Sequence, residues 1–221
     1  MQSQGPQNVI NDGIFAVVKP KGCTSYDIIR TIKKTCPNRK VGHGGTLDPL
    51  AEGVLVVAIG REFTKKLHTV LKNTSKTYEV GIYLGKWSET DDAEGPFHTV
   101  DVKKEPSMQD VTRALAQFVG KILQKPPIYS AVKLHGTPAY KRARRGEKIE
   151  IKEKTVTIES IVLNSYTYPH LTCTVVCGSG VYMRSLARDV GQLFETGAYV
   201  ESLLRTRVGA YDLSKALQIG K

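Results

Sequence analysis

The chain has 221 residues, 40% of them apolar, with 32 Lys or Arg against 21 Asp or Glu and a net charge of +11. That length can bury a sizeable core, and the apolar content is ordinary for a globular protein. No apolar run nears the roughly 20 residues of a membrane-spanning helix, and the opening MQSQGPQNVINDG lacks the basic start and apolar stretch of a signal peptide, so an intracellular, cytoplasmic protein is expected.

In chain order, residues 1–8 read as a flexible tail, and the rest of the chain, 9–221, as one domain. GIFAVVKP predicts an apolar strand stopped by Pro20. TSYDIIRTIKKTC predicts a helix with Thr24 or Ser25 as N-cap and Ile28, Ile29 and Ile32 on one stripe. GVLVVAIG predicts a buried strand, and REFTKKLHTVLKN an amphipathic helix with Phe63, Leu67, Val70 and Leu71 at helical spacing. KTYEVGIYLG alternates Tyr78, Val80, Ile82 and Leu84 on one face of a strand. ETDDAEGP predicts a turn, and SMQDVTRALAQFVG a helix opened by a capping box at Ser107 and Asp110. The prolines of KPPIYSAVK break that helix, and TPAYKRARRG predicts another. KTVTIESIVL and LTCTVVC predict strands, and Gly178 and Gly180 lead into the helix VYMRSLARDVGQLF. Helices do not alternate strictly with strands, so the expected fold is α+β: a mixed, largely antiparallel sheet with flanking helices.

Four cysteines, Cys23, Cys36, Cys173 and Cys177, are irregularly spaced and read as reduced, buried thiols with no metal site. The basic excess is concentrated in KLHGTPAYKRARRGEKIEIK and KKTCPNRK. Clusters of this kind read either as a solvated helix face or as the mark of a polyanion partner, most often nucleic acid, and residues 121–150 are expected to be an insertion that grips it with Lys141, Arg142, Arg144 and Arg145 against phosphates. VGHGGTLDPLAEGVLVVAIG puts a single carboxylate, Asp48, in a glycine-rich loop near His43. On the residues alone, Asp48-Pro49 reads first as a turn device, with a nucleophile held ionised by a cation as the second reading. His43, Tyr78 and Arg184 are likewise open between structural and chemical roles.

The blocks GIFAVVKPKGCTS, VGHGGTLDPLAEGVLVVAIG, SKTYEVGIYLG, TDDAEG, KPPIYSAVKLHGTPAYKRARRGE, GSGVYMRSLARDVG and LLRTRVGAY, in this order, closely resemble the TruB-type pseudouridine synthases. The resemblance implies the pseudouridine synthase catalytic fold and isomerisation of uridine in the T-loop of tRNA (position 55 in tRNA numbering). The uracil leaves ribose C1′, turns, and rejoins through C5, with no cofactor or metal required. Asp48 inherits the role of nucleophile, Tyr78 stacks on the flipped base and assists proton removal, and Arg184 pairs with Asp48. Tyr182 contacts the nucleotide, Leu203 packs on the base, and His43 fills the space the base leaves. The resemblance implies a monomer acting on the T-arm of tRNA, without the C-terminal PUA domain of many relatives. Glu52 departs from the small or hydroxyl residue common in the family, which raises a question of local packing. A guide-RNA-dependent synthase subunit and a tRNA-folding chaperone with secondary catalysis are the alternative readings.

Overall fold

A computed structural model describes residues 11–134 and 136–219; the expected tail at 1–8 lies outside the described residues. The chain divides into two compact units, Met1–Thr74 with Arg205–Lys221, and Ser75–Leu204.

The first unit opens with β1 (Gly13–Lys19), α1 (Ser25–Thr35), β2 (Val41–Gly44), β3 (Glu52–Ile59) and α2 (Arg61–Leu71). Thr24 caps α1 as the sequence suggests: its hydroxyl accepts from the Asp27 N–H at 3.1 Å, while the Asp27 carboxylate accepts the Thr24 N–H at 3.0 Å. β3 pairs antiparallel with both β1 and β2. Its unbroken apolar run has a simple cause, because both of its faces are covered. Leu55, Val57 and Ile59 pack with the Ile28, Ile29 and Ile32 stripe of α1, while Val54, Val56 and Ala58 pack with Leu67, and with Phe63 and Leu71, of α2. Glu52 stands exposed at the start of β3, so the departure from the family pattern leaves the core undisturbed.

The second unit is built from β4 (Lys76–Leu84), the hairpin β5 (Lys86–Ser88) and β6 (Phe97–Thr99), α3 (Met108–Gln117), β7 (Gly120–Gln124), the two-residue strands β8 (Lys133–Leu134) and β9 (Thr137–Pro138), α4 (Ala139–Ala143), β10 (Lys154–Thr167), β11 (His170–Cys177) and α5 (Met183–Leu193). Strands β4, β11, β10 and β7 lie side by side, each pair antiparallel. Tyr78, Val80, Ile82 and Leu84 are all buried, in keeping with the alternation read from KTYEVGIYLG. Cys173 and Cys177 are buried free thiols on one face of β11, and burial pushes the Cys173 thiol up to about 12. α5 approaches the chain behind it so closely that a Cβ on Gly191 would stand 2.3 Å from the Ala198 nitrogen.

β12 (Ala198–Val208) supplies residues 198–204 to the second unit and 205–208 to the first. The first unit then closes with β13 (Tyr211–Asp212), a single 3-10 turn, and β14 (Leu217–Gln218), which runs parallel to β1. One parallel pair among antiparallel ones makes the sheet mixed, and with helices packed against it the fold is the α+β class expected.

Several elements differ from expectation. α3 ends at Gln117 and the strand β7 follows it, so the helix stops before the prolines of KPPIYSAVK and is not ended by them. The helix predicted over residues 137–146 shrinks to α4, because Pro138 caps it without a side-chain bond and Gly146 turns the chain at φ 74°. β12 is a strand no pattern announced: Arg205 occupies one of its buried positions, so the alternation of polar and apolar residues is lost. Among the described residues no helix is long and apolar enough to cross a membrane.

Candidate active site

In the first unit, Asp48 lies half-buried in the loop between β2 and β3. The main chain of that loop is held nearly residue by residue. Arg205, 1% exposed, donates from Nη2 to the Gly45 carbonyl at 2.7 Å and from Nε to the Val54 carbonyl at 2.8 Å. The Ser25 hydroxyl donates to the Leu47 carbonyl at 3.0 Å and accepts the Leu47 N–H at 2.9 Å. Lys19, fully buried, donates to the carbonyls of Pro20, Cys23 and Pro49 at 2.9, 2.7 and 3.3 Å. The Gly22 N–H reaches the Pro49 carbonyl at 2.8 Å, and the Ala51 N–H bonds back to the Asp48 carbonyl at 3.1 Å. Gly45 adopts φ 68°, a left-handed conformation that side chains rarely take, and so lets the chain bend toward Arg205. A loop pinned at this many main-chain atoms presents its carboxylate from a defined place.

His43 stands on β2, opposite Val57. Its Nδ1 is buried without a hydrogen-bond partner among the described residues. Burial first, and the charge of Arg205 second, hold its pKa below the usual histidine value, so the ring stays neutral near pH 7.

In the second unit, Tyr78 is 8% exposed on β4, opposite Val175, and Leu203 is buried on β12. Tyr182 is the N-cap residue of α5, and Arg184 follows in its first turn. The Arg184 guanidinium is 4% exposed and firmly oriented. Nη1 lies 3.4 Å from an Asp92 carboxylate oxygen and donates to the Thr90 carbonyl at 3.1 Å, while Nη2 donates to the Tyr129 carbonyl at 2.9 Å. Asp92 is itself 2% exposed, and its other oxygen accepts from the Thr90 hydroxyl at 2.6 Å and the Glu94 N–H at 3.0 Å. One turn on, Arg188 pairs with Asp91 at 2.8 Å; burial pushes the Asp91 carboxyl above the usual carboxylate range, and Arg188 opposes that rise.

Of the basic run, Lys141, Arg144 and Arg145 are exposed. Arg142 is half-buried and paired with Glu147 at 2.5 Å, and the Arg144 guanidinium lies 5.8 Å from the centre of the Tyr140 ring. Among the described residues no group of three or more His, Cys, Asp or Glu side chains is arranged to hold a metal ion.

The structure therefore places His43 and Asp48 in one unit and Tyr78, Tyr182, Arg184 and Leu203 in the other. Sequence reading did not single out Lys19, Arg205, Asp92 and Gln124. Each is a polar side chain with almost no exposed surface, and that is a property of tertiary packing. For Lys19, Asp92 and Arg205 a signal existed, since GIFAVVKPKGCTS, TDDAEG and LLRTRVGAY are among the quoted blocks.

Comparison with known proteins places this arrangement. The family described as TruB family pseudouridylate synthase (N terminal domain) matches residues 33–183. A protein from Chlamydia felis named tRNA pseudouridine synthase B is 39% identical over 208 residues, covering 94% of this chain and 87% of the relative. One of the same name from Thermobifida fusca is 41% identical over 93% of this chain and 72% of its own length. Among solved structures, a chain in a Cbf5-Nop10-Gar1 complex superposes with a TM-score of 0.73 at 25% identity over 98% of this chain. This chain spans only 55% of that one. On the family match and the extent of these identities, the chain belongs to the TruB family of pseudouridylate synthases.

Proposed function

We propose that this chain isomerises uridine to pseudouridine in tRNA, at the uridine of the T-loop, acting as a cytoplasmic monomer on the T-arm. The reaction breaks the bond from N1 to C1′ and forms one from C5 to C1′; the proton on C5 leaves and N1 gains one, so nothing is oxidised or reduced. Asp48 is the nucleophile that drives the detachment of uracil. Tyr78 stacks on the base and assists removal of the C5 proton, and Arg184 pairs with Asp48 to hold it ionised and oriented. Tyr182 contacts the nucleotide, Leu203 packs on the base, and neutral His43 takes the place the flipped base leaves in the RNA. Flipping costs a few kcal/mol, which contacts to the extruded nucleotide offset. Residues 121–150 grip the arm through Lys141, Arg142, Arg144 and Arg145.

The observation that carries this reading is a lone carboxylate in a loop pinned at its main chain, in a chain that belongs to a family of pseudouridylate synthases. The names of the curated relatives support tRNA as the substrate. The test is incubation with an unmodified tRNA transcript, without guide RNA or partner proteins, followed by mapping of pseudouridine. Wild type should modify the T-loop uridine. Asp48→Asn should lower turnover about a thousandfold or more while tRNA binding stays near wild type. Activity of Asp48→Asn within tenfold of wild type would end the nucleophile assignment, and modification that appears only with a guide RNA would transfer the chain to the guide-dependent reading.

A further inference from the structure

Gln124 ends β7 with 1% of its surface exposed. A carboxamide this deep is costly unless both of its ends are bonded. Here a single residue satisfies both. Nε2 donates to the Tyr182 carbonyl at 3.1 Å, and the Tyr182 N–H donates to Oε1 at 2.8 Å. The side chain thus copies one rung of a β-ladder and fixes the main chain of Tyr182 in position and in rotation. No side chain caps α5, so this pair of bonds defines where the helix begins.

The residues after Gln124 extend the same device. Pro126 and Pro127 offer no N–H and hold the chain extended, which leaves its carbonyls as acceptors. The Lys125 carbonyl accepts from the Ser185 hydroxyl at 2.8 Å and from Arg188 at 2.7 Å, and the Tyr129 carbonyl accepts from Arg184. Within the unit, the first turns of α5 are stitched to residues 124–129. The Gln124 stitch falls on Tyr182, two residues before Arg184. An apolar side chain of equal volume could fill the space of Gln124, but it could not fix the orientation of Tyr182.

We propose that Gln124 is a positioning residue for uridine isomerisation, setting the place from which Tyr182 and Arg184 act on the substrate nucleotide. This rests on reading Tyr182 and Arg184 as substrate-side residues. Gln124→Met keeps the volume and removes both bonds. Gln124→Glu keeps the shape and, while ionised, can accept from the Tyr182 N–H but cannot donate to its carbonyl. A protonated Glu restores both bonds, and burial favours that form.

The experiment measures kcat and KM on a tRNA transcript across pH, well below each variant's Tm. Gln124→Met should lose about 10- to 100-fold in kcat, the scale expected of a small misplacement of reacting groups. KM for RNA should stay within about threefold, since phosphate contacts are untouched. The kcat of Gln124→Glu, relative to wild type, should climb as pH falls through the titration of the buried carboxyl. Tyr166→Phe, which removes a bond to the Pro106 carbonyl outside residues 124–129 and α5, should cost stability and leave kcat within about twofold. A folded Gln124→Met with wild-type kcat overturns the proposal, as does a ratio of Gln124→Glu to wild type that stays low and flat down to acid pH. If wild type itself forms no pseudouridine in tRNA, the functional reading falls and the inference falls with it. An active wild type with an unaltered Gln124→Met removes the inference alone.

Discussion

In the first unit the loop that carries Asp48 is held in good part by cations, Lys19 and Arg205 donating to main-chain carbonyls. In the second unit Arg184 is held by an anion, Asp92, as well as by the carbonyls of Thr90 and Tyr129. The two arrangements do different work. Bonds to main-chain atoms dictate the path of a loop and say nothing about which side chain it bears. Bonds to a side chain dictate the orientation of that group itself. A nucleophile needs a defined position on a fixed loop. A guanidinium that orients a partner needs its plane fixed, because its recognition is bidentate and directional.

The largest effect expected from breaking this contrast is at Arg184. Arg184→Lys keeps the charge but cannot reach Asp92, the Thr90 carbonyl and the Tyr129 carbonyl from one planar group, so kcat should fall about 100-fold on a tRNA transcript. A harmless Arg184→Lys in steady-state kinetics would mean that charge alone suffices.

Next comes the cation of the first unit. Arg205→Met strands the Val54 carbonyl in a buried site and frees the part-buried Gly45 carbonyl, and urea unfolding should record a loss of about 2–4 kcal/mol. A loss below about 1 kcal/mol would show that the loop holds itself without Arg205. This variant should betray itself in stability, whereas Arg184→Lys should betray itself in rate, and the contrast between the units is sharpest if the two readouts separate in that way.

A smaller effect is expected where neither kind of burial operates. Arg144 and Arg145 are exposed, so replacing both with Ala should weaken tRNA binding about tenfold at moderate salt and flatten the dependence of affinity on salt by about two counterions. Turnover at saturating RNA should barely change. Filter binding across a salt series reads this directly, and an unchanged slope would identify the run as a solvated surface, moving the RNA footprint to KKTCPNRK.

The smallest effect concerns His43. Its pKa in the fold is lowered, so the unfolded chain takes up a proton below about pH 6.5 that the folded chain declines. The stability tied to this ring is complete above that pH and is lost as pH falls further. His43→Gln should therefore lose less stability than wild type on acidification from pH 7 to 5.5, as followed by thermal unfolding. Equal acid slopes would place the ring in an environment no less polar than water.

Much of the architecture could be read in the sequence because it rests on local patterns. The isoleucine stripe of α1, the N-cap at Thr24 or Ser25, the capping box at Ser107, the alternation in β4 and the apolar run of β3 each report one element's own periodicity and termini. The resemblance carried Asp48, Tyr78, Arg184, His43, Tyr182 and Leu203 as candidates, because chemistry restricts residue type at a position whatever the surroundings. β12 and the shortened α4 were not legible in the same way. In β12 a charged residue takes a core position, and in α4 a proline and a glycine close in from either end.

By itself, then, the sequence determined the family, the elements with a clear period of their own and the candidate side chains for chemistry. Only the tertiary structure decided how those side chains are supported. Residue type alone says nothing of the burial of Lys19, Asp92, Gln124 and Arg205, and a polar group shows its structural role only when its partners are known. The bonds that satisfy Asp92, Gln124 and Arg205 include ones from chain as far away as residue 184 for Asp92, residue 182 for Gln124 and residue 45 for Arg205. Sequence periodicity extends only over neighbouring turns and pleats, so it cannot encode a partner that distant; desolvation inside the folded chain is what makes each pairing obligatory.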